Sequence, residues 1–127
     1  MSQPQPIKRS PQLTPLSKDH HEGLLLVWKI RQGLRNHTPI QEIGDYVNWF
    51  WQQHLAEHFR EEEEIVASYL PADDPGVRRM NEEHQELEAL VHINESVTDE
   101  ALLEKFAGLL NDHIRFEERE FFPYIEK

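Results

Sequence analysis

The chain has 127 residues, enough for one domain with a hydrophobic core of moderate size. Its 24 acidic residues outnumber the 13 lysines and arginines, and the formal net charge of −11 disfavours binding to nucleic acid. Cysteine is absent, which excludes disulfides, thiolate metal sites and iron–sulfur clusters. Any metal must therefore be held by imidazole and carboxylate, the donors that suit iron, manganese or zinc.

The N-terminal stretch has the composition of an extended arm. Three prolines, Pro4, Pro6 and Pro11, stand among polar residues without apolar periodicity, so we predict an extended or mobile arm over residues 1–13 and a folded domain over residues 14–127. The sequence MSQPQPIKRS lacks the apolar region of a secretory signal, and no apolar run approaches the roughly 20 residues of a membrane span. We expect a cytoplasmic protein that does not bind membranes.

Four segments with helical apolar spacing follow the arm, each opened by a residue that commonly caps a helix. Short connections between such segments indicate antiparallel neighbours, so the predicted fold is all-α, an antiparallel up-down-up-down four-helix bundle. The predicted helices begin at Thr14, Thr38, Asp74 and Thr98 and end near Asn36, Leu70, Asn94 and Phe122.

Histidines occur on the apolar face of every predicted helix. Positions three, four and seven residues away share a helix face, and by this rule His58, His84 and His113 each lie within an apolar stripe. The first helix offers two adjacent candidates. His20 has apolar neighbours in both directions, whereas His21 shares its face with polar residues as well, so we favour His20 as the inward one.

Two glutamates lie one helical turn after two of these histidines. Glu62 follows His58 and Glu117 follows His113 by four residues, which aims imidazole and carboxylate at one point. A carboxylate on a core stripe is costly unless it is paired or binds metal. At about 1.5 Å per residue, the four inward histidines also fall at a similar depth in the bundle. The pattern predicts a metal site formed by His20, His58, His84, His113, Glu62 and Glu117.

The remaining histidines and acids near these positions have less definite roles. His54 shares the stripe of His58 and could be an extra ligand, a supporting group or a residue at the rim, and Glu88 could support His84. His37 and His92 are expected at the surface. Glu61, Glu63 and Glu64 are expected on a solvated face.

The segments LSKDHHEGLL, HFREEEEIV, NEEHQELEALV and HIRFEEREFFPYIE together resemble the hemerythrin-like (HHE cation-binding) family, in its single-domain bacterial form, over residues 14 to 126. The resemblance implies two iron ions joined by an oxo or hydroxo bridge, with Glu62 and Glu117 bridging them as well. The four histidines, His20, His58, His84 and His113, would be terminal ligands.

The chain departs from the oxygen-carrying hemerythrins at two places. Those proteins have a second histidine one turn along the third helix, where this chain has Glu88, and an H-x-x-x-x-D spacing in the last helix, where this chain has His113 and Glu117. The pattern is closer to that of the four-histidine bacterial members and of the iron-sensing domain of an F-box protein.

The resemblance implies a small non-haem di-iron protein that binds or senses iron, oxygen or another diatomic ligand, with no protein partner defined. We rank it above an enzyme of the di-iron peroxidase or oxidase type, because no motif supplies a substrate pocket or an electron-transfer partner. A third interpretation is a structural bundle that holds zinc or a mixture of metals, and manganese also suits these donors.

Overall fold

The computed structural model describes residues 9–127, so most of the predicted arm lies outside the described residues and the arm's boundary stays a prediction. The described chain is all-α and forms four helical rods. The first rod is α1 (Thr14–Arg35) and the third is α4 (Pro75–Ser96). The second joins α2 (Ile40–Phe50), the π-helical segment π1 (Trp51–Leu55) and α3 (Ala56–Ala67). The fourth joins α5 (Glu100–Phe116), the π-helical segment π2 (Glu117–Phe121) and α6 (Phe122–Ile125).

The two π-helical segments interrupt rods that the sequence analysis treats as continuous α-helix. Each adds a residue to one turn and so changes which side chains face the bundle interior after it. π1 ends three residues before His58, and π2 begins at Glu117, so both lie beside the predicted metal site. None of the helices within residues 9–127 has the length and apolar character needed to cross a membrane.

The hydrogen bonds at the N-termini of the helices show which of the predicted caps form. Asp74 caps α4 by accepting from the backbone N–H groups of Gly76 and Val77, as predicted. The fourth rod is capped by Asp99 instead of Thr98, since its carboxylate accepts from the N–H of Leu102. Charge favours this residue, because an anion is stabilised at a helix N-terminus.

The other two predicted caps are wrong. Thr14 does not cap α1, because Leu13 before it is already helical and the Thr14 hydroxyl donates backward to the Ser10 carbonyl. Thr38 belongs to the turn that closes α1, since its N–H donates to the Gly33 carbonyl, and Pro39 precedes α2. The second rod also ends earlier than predicted, at Ala67, followed by a turn that leads into Pro71.

Contacts between rods establish their antiparallel direction. Asn94, near the end of α4, donates to the Gly44 carbonyl near the start of α2, whereas His84, in the first half of α4, meets Glu62 near the end of α3. These two rods therefore run in opposite directions. α1 and the fourth rod do so as well, because His20 contacts Glu117, whereas Gly23, later in α1, lies against Ile114, earlier in the fourth rod.

The core is divided into two apolar clusters with a polar layer between them. The larger cluster lies toward the α1–α2 connection and includes Leu26, Phe50 and Phe106. The smaller lies at the opposite end and includes Leu16 and Phe122. In chain order, the polar layer falls between the two clusters on α1 and α4. On the other two rods it overlaps the larger cluster, since Phe59 follows His58 and Ile114 follows His113. The layer is thus held on both sides by packed side chains that exclude water.

Close helix contact explains one glycine and leaves another without a structural reason. A Cβ at Gly44 would lie 2.7 Å from both side-chain branches of Thr98, so only glycine fits where α2 meets the α4–α5 connection. A Cβ at Gly108 would meet nothing within 4 Å.

Candidate metal centre

The polar layer consists of six side chains, and all four rods contribute to it. They belong to the six residues predicted from the sequence. All of them are buried, and both carboxylates are fully inaccessible to solvent. Ionised or polar groups are costly in such a place unless they have partners. The layer is formed by His20 of α1, His58 and Glu62 of α3, His84 of α4, His113 of α5 and Glu117 of π2.

Each carboxylate lies between two imidazoles from different rods. Glu62 has one oxygen 3.3 Å from His58 Nε2 and the other 3.1 Å from His84 Nε2. Glu117 Oε1 lies 2.9 Å from His20 Nε2 and 3.1 Å from His113 Nε2. All four Nε2 atoms therefore point at the same interior space.

The donor atoms form two overlapping groups of four, and within each group they lie within 4.8 Å of one another. One group contains His20 and His58, the other contains His84 and His113, and both carboxylates belong to both groups. Each group could hold a cation, and the two groups share Glu62 and Glu117.

Several of these buried atoms have no hydrogen-bond partner within the described residues. They are both oxygens of Glu62, Oε2 of Glu117 and Nε2 of His58. Leaving such groups unsatisfied typically costs about 1–3 kcal/mol each, more for charged groups. A cation between them would satisfy all of these atoms at once, so the residues present fit a metal site.

A further set of carboxylates contacts the outward Nδ1 atoms of the imidazoles. A carboxylate that accepts a hydrogen bond from Nδ1–H fixes the tautomer that leaves Nε2 free to bind a metal. Three of these contacts are hydrogen bonds of 2.7–3.0 Å, and the fourth is longer at 3.6 Å. The pairs are His20 with Glu118, His58 with Asp19, His113 with Glu83 and, at the longer distance, His84 with Glu63.

Glu118, Asp19 and Glu83 were not predicted from the sequence. Asp19 directly precedes His20, Glu83 directly precedes His84, and Glu118 directly follows Glu117. No face rule selects them, because each reaches across to an imidazole on another rod.

The negative charge of the carboxylates controls protonation of the metal-free centre. Burial alone would lower the pKa of His20, but hydrogen bonds to Glu117 and Glu118 outweigh burial and raise it to about 9. Burial also opposes protonation of His113, yet the charge of Glu117 and hydrogen bonds to Glu117 and Glu83 raise its pKa to about 10. The pKa of His84 is raised by its contacts with Glu62, again against the effect of burial.

The carboxylates shift in the opposite direction. Burial favours the neutral form of Glu117, but the charge of His113 and hydrogen bonds from its neighbours hold its pKa well below the usual range. The pKa values of Glu83 and Glu118 are lowered against burial by hydrogen bonds from His113 and His20, respectively. Protons on the imidazoles therefore compensate the carboxylate charge when no metal is bound.

The other candidates lie outside the centre. His21 is exposed, which decides between the two adjacent histidines in favour of His20. His54 is exposed and its ring packs on Trp49 and Phe50, so it lies at the rim.

The three remaining positions are exposed as well. Glu88 lies 3.5 Å from His92 on the outer face of α4, and neither contacts the six residues of the centre. His37 is an exposed residue of the first connection, in a left-handed conformation with φ of 58°.

Comparison with known proteins identifies one family. The model of the Hemerythrin HHE cation binding domain matches residues 13–125, nearly the whole chain. No curated protein and no solved structure gives a significant match. The chain therefore belongs to the hemerythrin HHE cation-binding domain family, and its buried histidine–glutamate layer agrees with the cation binding for which that family is described.

Proposed function

We propose that this hemerythrin-like chain binds two iron ions and uses them to bind or sense a small diatomic ligand or iron itself. His20 and His58 hold one ion, His84 and His113 hold the other, and Glu62 and Glu117 bridge the two. The observation that carries the proposal is that the two groups of donor atoms share both carboxylates. A single ion would leave the imidazoles of one group without a metal.

The donor set suits two iron ions, and it would suit two structural zinc ions as well, so metal analysis has to separate them. Each position receives two imidazole nitrogens and one oxygen from each of two carboxylates, which would complete the tetrahedral shell that structural zinc prefers. Non-haem iron with imidazole and carboxylate ligands keeps open positions for other ligands. Bound iron would supply redox chemistry and such positions.

The size of the ligand follows from the space around the centre. The cavity that has His84 in its lining has a volume of about 160 Å³, which is below the roughly 300–1,000 Å³ of typical small-molecule sites. The packed apolar clusters cover the centre from both ends of the bundle. A ligand of two or three atoms fits this space, whereas a drug-sized organic molecule does not. We therefore favour a binding or sensing protein over an enzyme with a large organic substrate.

Metal analysis of protein reconstituted anaerobically with ferrous iron tests the proposal. We expect two iron ions per chain and a change in the optical spectrum when oxygen or nitric oxide is added. A plateau at one ion per chain would contradict the dinuclear site. Two tightly bound zinc ions together with failure to retain iron would favour the structural bundle.

A further inference from the structure

The two carboxylates divide the centre into two edges that are supported differently. We call His20, Glu117 and His113 the fixed edge, and His58, Glu62 and His84 the open edge. The names refer to the carboxylates that contact Nδ1 of these imidazoles, which we call the outer carboxylates. Other side chains hold the outer carboxylates of the fixed edge, but not those of the open edge.

Both outer carboxylates of the fixed edge are themselves held by other side chains. Glu118, which binds His20, accepts a hydrogen bond of 2.7 Å from the Ser17 hydroxyl and lies 3.6 Å from the Arg9 guanidinium. Glu83, which binds His113, accepts a hydrogen bond of 3.0 Å from Arg79. Each imidazole of this edge is thus the end of a chain from histidine to glutamate to arginine.

Aromatic rings strengthen the same edge. Arg9 has only 5% of its side chain exposed and lies over the ring of Phe122, which stacks on the His20 imidazole with centroids 5.5 Å apart. Arg79 lies 3.9 Å from the centroid of Phe116. Guanidinium groups over aromatic rings are attracted by the ring quadrupole, so these arginines are held in place.

The outer carboxylates of the open edge lack such support. Asp19 and Glu63 have 52% and 45% of their side chains exposed. In the part of the chain that the structure describes, neither has an arginine or lysine within 4.0 Å. The 3.6 Å between Glu63 and His84 Nδ1 is too long for a hydrogen bond, and this nitrogen is left without a partner within residues 9–127.

The cavity of about 160 Å³ opens between α3 and α4 on this edge. The Phe59 ring lies beside it and stacks on the His84 imidazole, with centroids 4.0 Å apart and an interplanar angle of 14°. Phe59 therefore covers one face of the His84 imidazole where both side chains line the cavity. The cavity is lined by Trp51, Ala56, Phe59, Glu63, His84 and Glu88, among others.

We propose that metal ions enter and leave the centre at the open edge, through this cavity, and that Phe59 is the gate. This inference rests on the proposed metal-binding function. The opening also carries Arg60, which lies 3.7 Å from Glu57, so the exposed carboxylates of Glu63 and Glu88 still leave it negatively charged and attract a cation. His84 can rotate toward it because no anchored carboxylate holds its Nδ1. The imidazoles of the fixed edge remain in position throughout.

The experiment measures how fast bound cobalt(II) leaves the protein. The protein is loaded with cobalt, whose visible absorption reports ligation, and then mixed with EDTA at concentrations where the rate no longer depends on EDTA. Phe59→Leu should accelerate release by about tenfold, the effect of lowering a barrier by ~1.4 kcal/mol. The matched control is Phe122→Leu, which removes the ring stacked on His20 at the fixed edge and should change the rate less than about threefold.

A second variant works in the opposite direction. Ala56 lines the cavity and is partly exposed, so Ala56→Trp should fill the opening and slow cobalt release by about tenfold. Loss of folding cannot produce slower release. If Phe59→Leu fails to fold and takes up no cobalt, Ala56→Trp decides alone.

Equal acceleration by Phe59→Leu and Phe122→Leu, or unchanged release from Ala56→Trp, would overturn the inference. The cobalt content at saturation keeps this result separate from the proposed function. Two ions per chain with unchanged rates contradicts the entry route only, whereas fewer than two contradicts the dinuclear site.

Discussion

Metal loading of the metal-free protein should release at least about two protons per chain at neutral pH, from His20 and His113, with His84 adding to them because its pKa is raised too. The pKa values of His20 and His113 are raised to about 9 and about 10 by the carboxylates around them. At pH 7.5 each is therefore roughly nine-tenths or more protonated, from its pKa alone. Only the neutral imidazole can ligate, so both protons must leave when metal binds.

The assay is a zinc titration of the metal-free protein in weakly buffered solution with a pH indicator. Zinc avoids any redox step. Proton release should be at least about two from about pH 7 to pH 8 and fall toward zero as the pH rises through 9 and 10, because the imidazoles are then already neutral. Release of less than one proton per chain at pH 7.5 would refute the reasoning.

The same pKa values fix the sign of the pH dependence of stability. A histidine whose pKa is raised in the folded state stabilises the metal-free protein fully below pH 6.5, and that contribution is lost as the pH rises through 9 to 10. As the pH rises over the same range, protons also compete less with metal for the imidazole nitrogens. The gap in melting temperature between metal-loaded and metal-free protein should therefore widen from about pH 6.5 to pH 9. A constant gap would contradict this.

Two further contrasts test the centre and the packing. His58→Ala should sharply reduce the iron content, whereas His92→Ala on the exposed face of α4 should not, and equal losses would contradict the site. Gly44→Ala should lower the free energy of unfolding by about 1–3 kcal/mol, because its methyl group would overlap Thr98. Gly108→Ala, which meets nothing, should raise it by ~0.5–1 kcal/mol, and denaturant unfolding measures both.

The arrangement of the six inward residues follows from helix periodicity. A face rule and a rise per residue suffice to predict that His20, His58, His84 and His113 are buried at one level. They suffice for Glu62 and Glu117 as well, since a four-residue spacing keeps a carboxylate on the face of its histidine. Their role as ligands is a chemical inference from this placement, and metal binding by individual residues stays a prediction.

The outer carboxylates could not be predicted in the same way. Which of several acidic neighbours reaches a given imidazole depends on how the rods are rotated against each other, and periodicity within one helix does not specify that rotation. The π-helical turn at Glu117 adds to the difficulty, because both Glu117 and the next residue, Glu118, contact His20. A continuous α-helix places consecutive residues about 100° apart around its axis, so helix periodicity does not predict that both carboxylates contact the same imidazole.

The caps show a similar limit. Thr14 and Thr38 are residues that commonly cap helices, but the hydroxyl of one and the N–H of the other bond backward to Ser10 and Gly33. In each case the threonine takes part in a hydrogen bond of the preceding turn and therefore does not cap the helix that follows.

An anomalous-difference map from crystals of the iron-loaded protein tests the central claim most directly. We predict two peaks per chain, roughly 3.5–4 Å apart as in other two-metal sites. One should lie at bonding distance from Nε2 of His20 and His58, the other from Nε2 of His84 and His113, and both should lie beside Glu62 and Glu117. A single peak, or two peaks that do not share the carboxylates, would contradict the account.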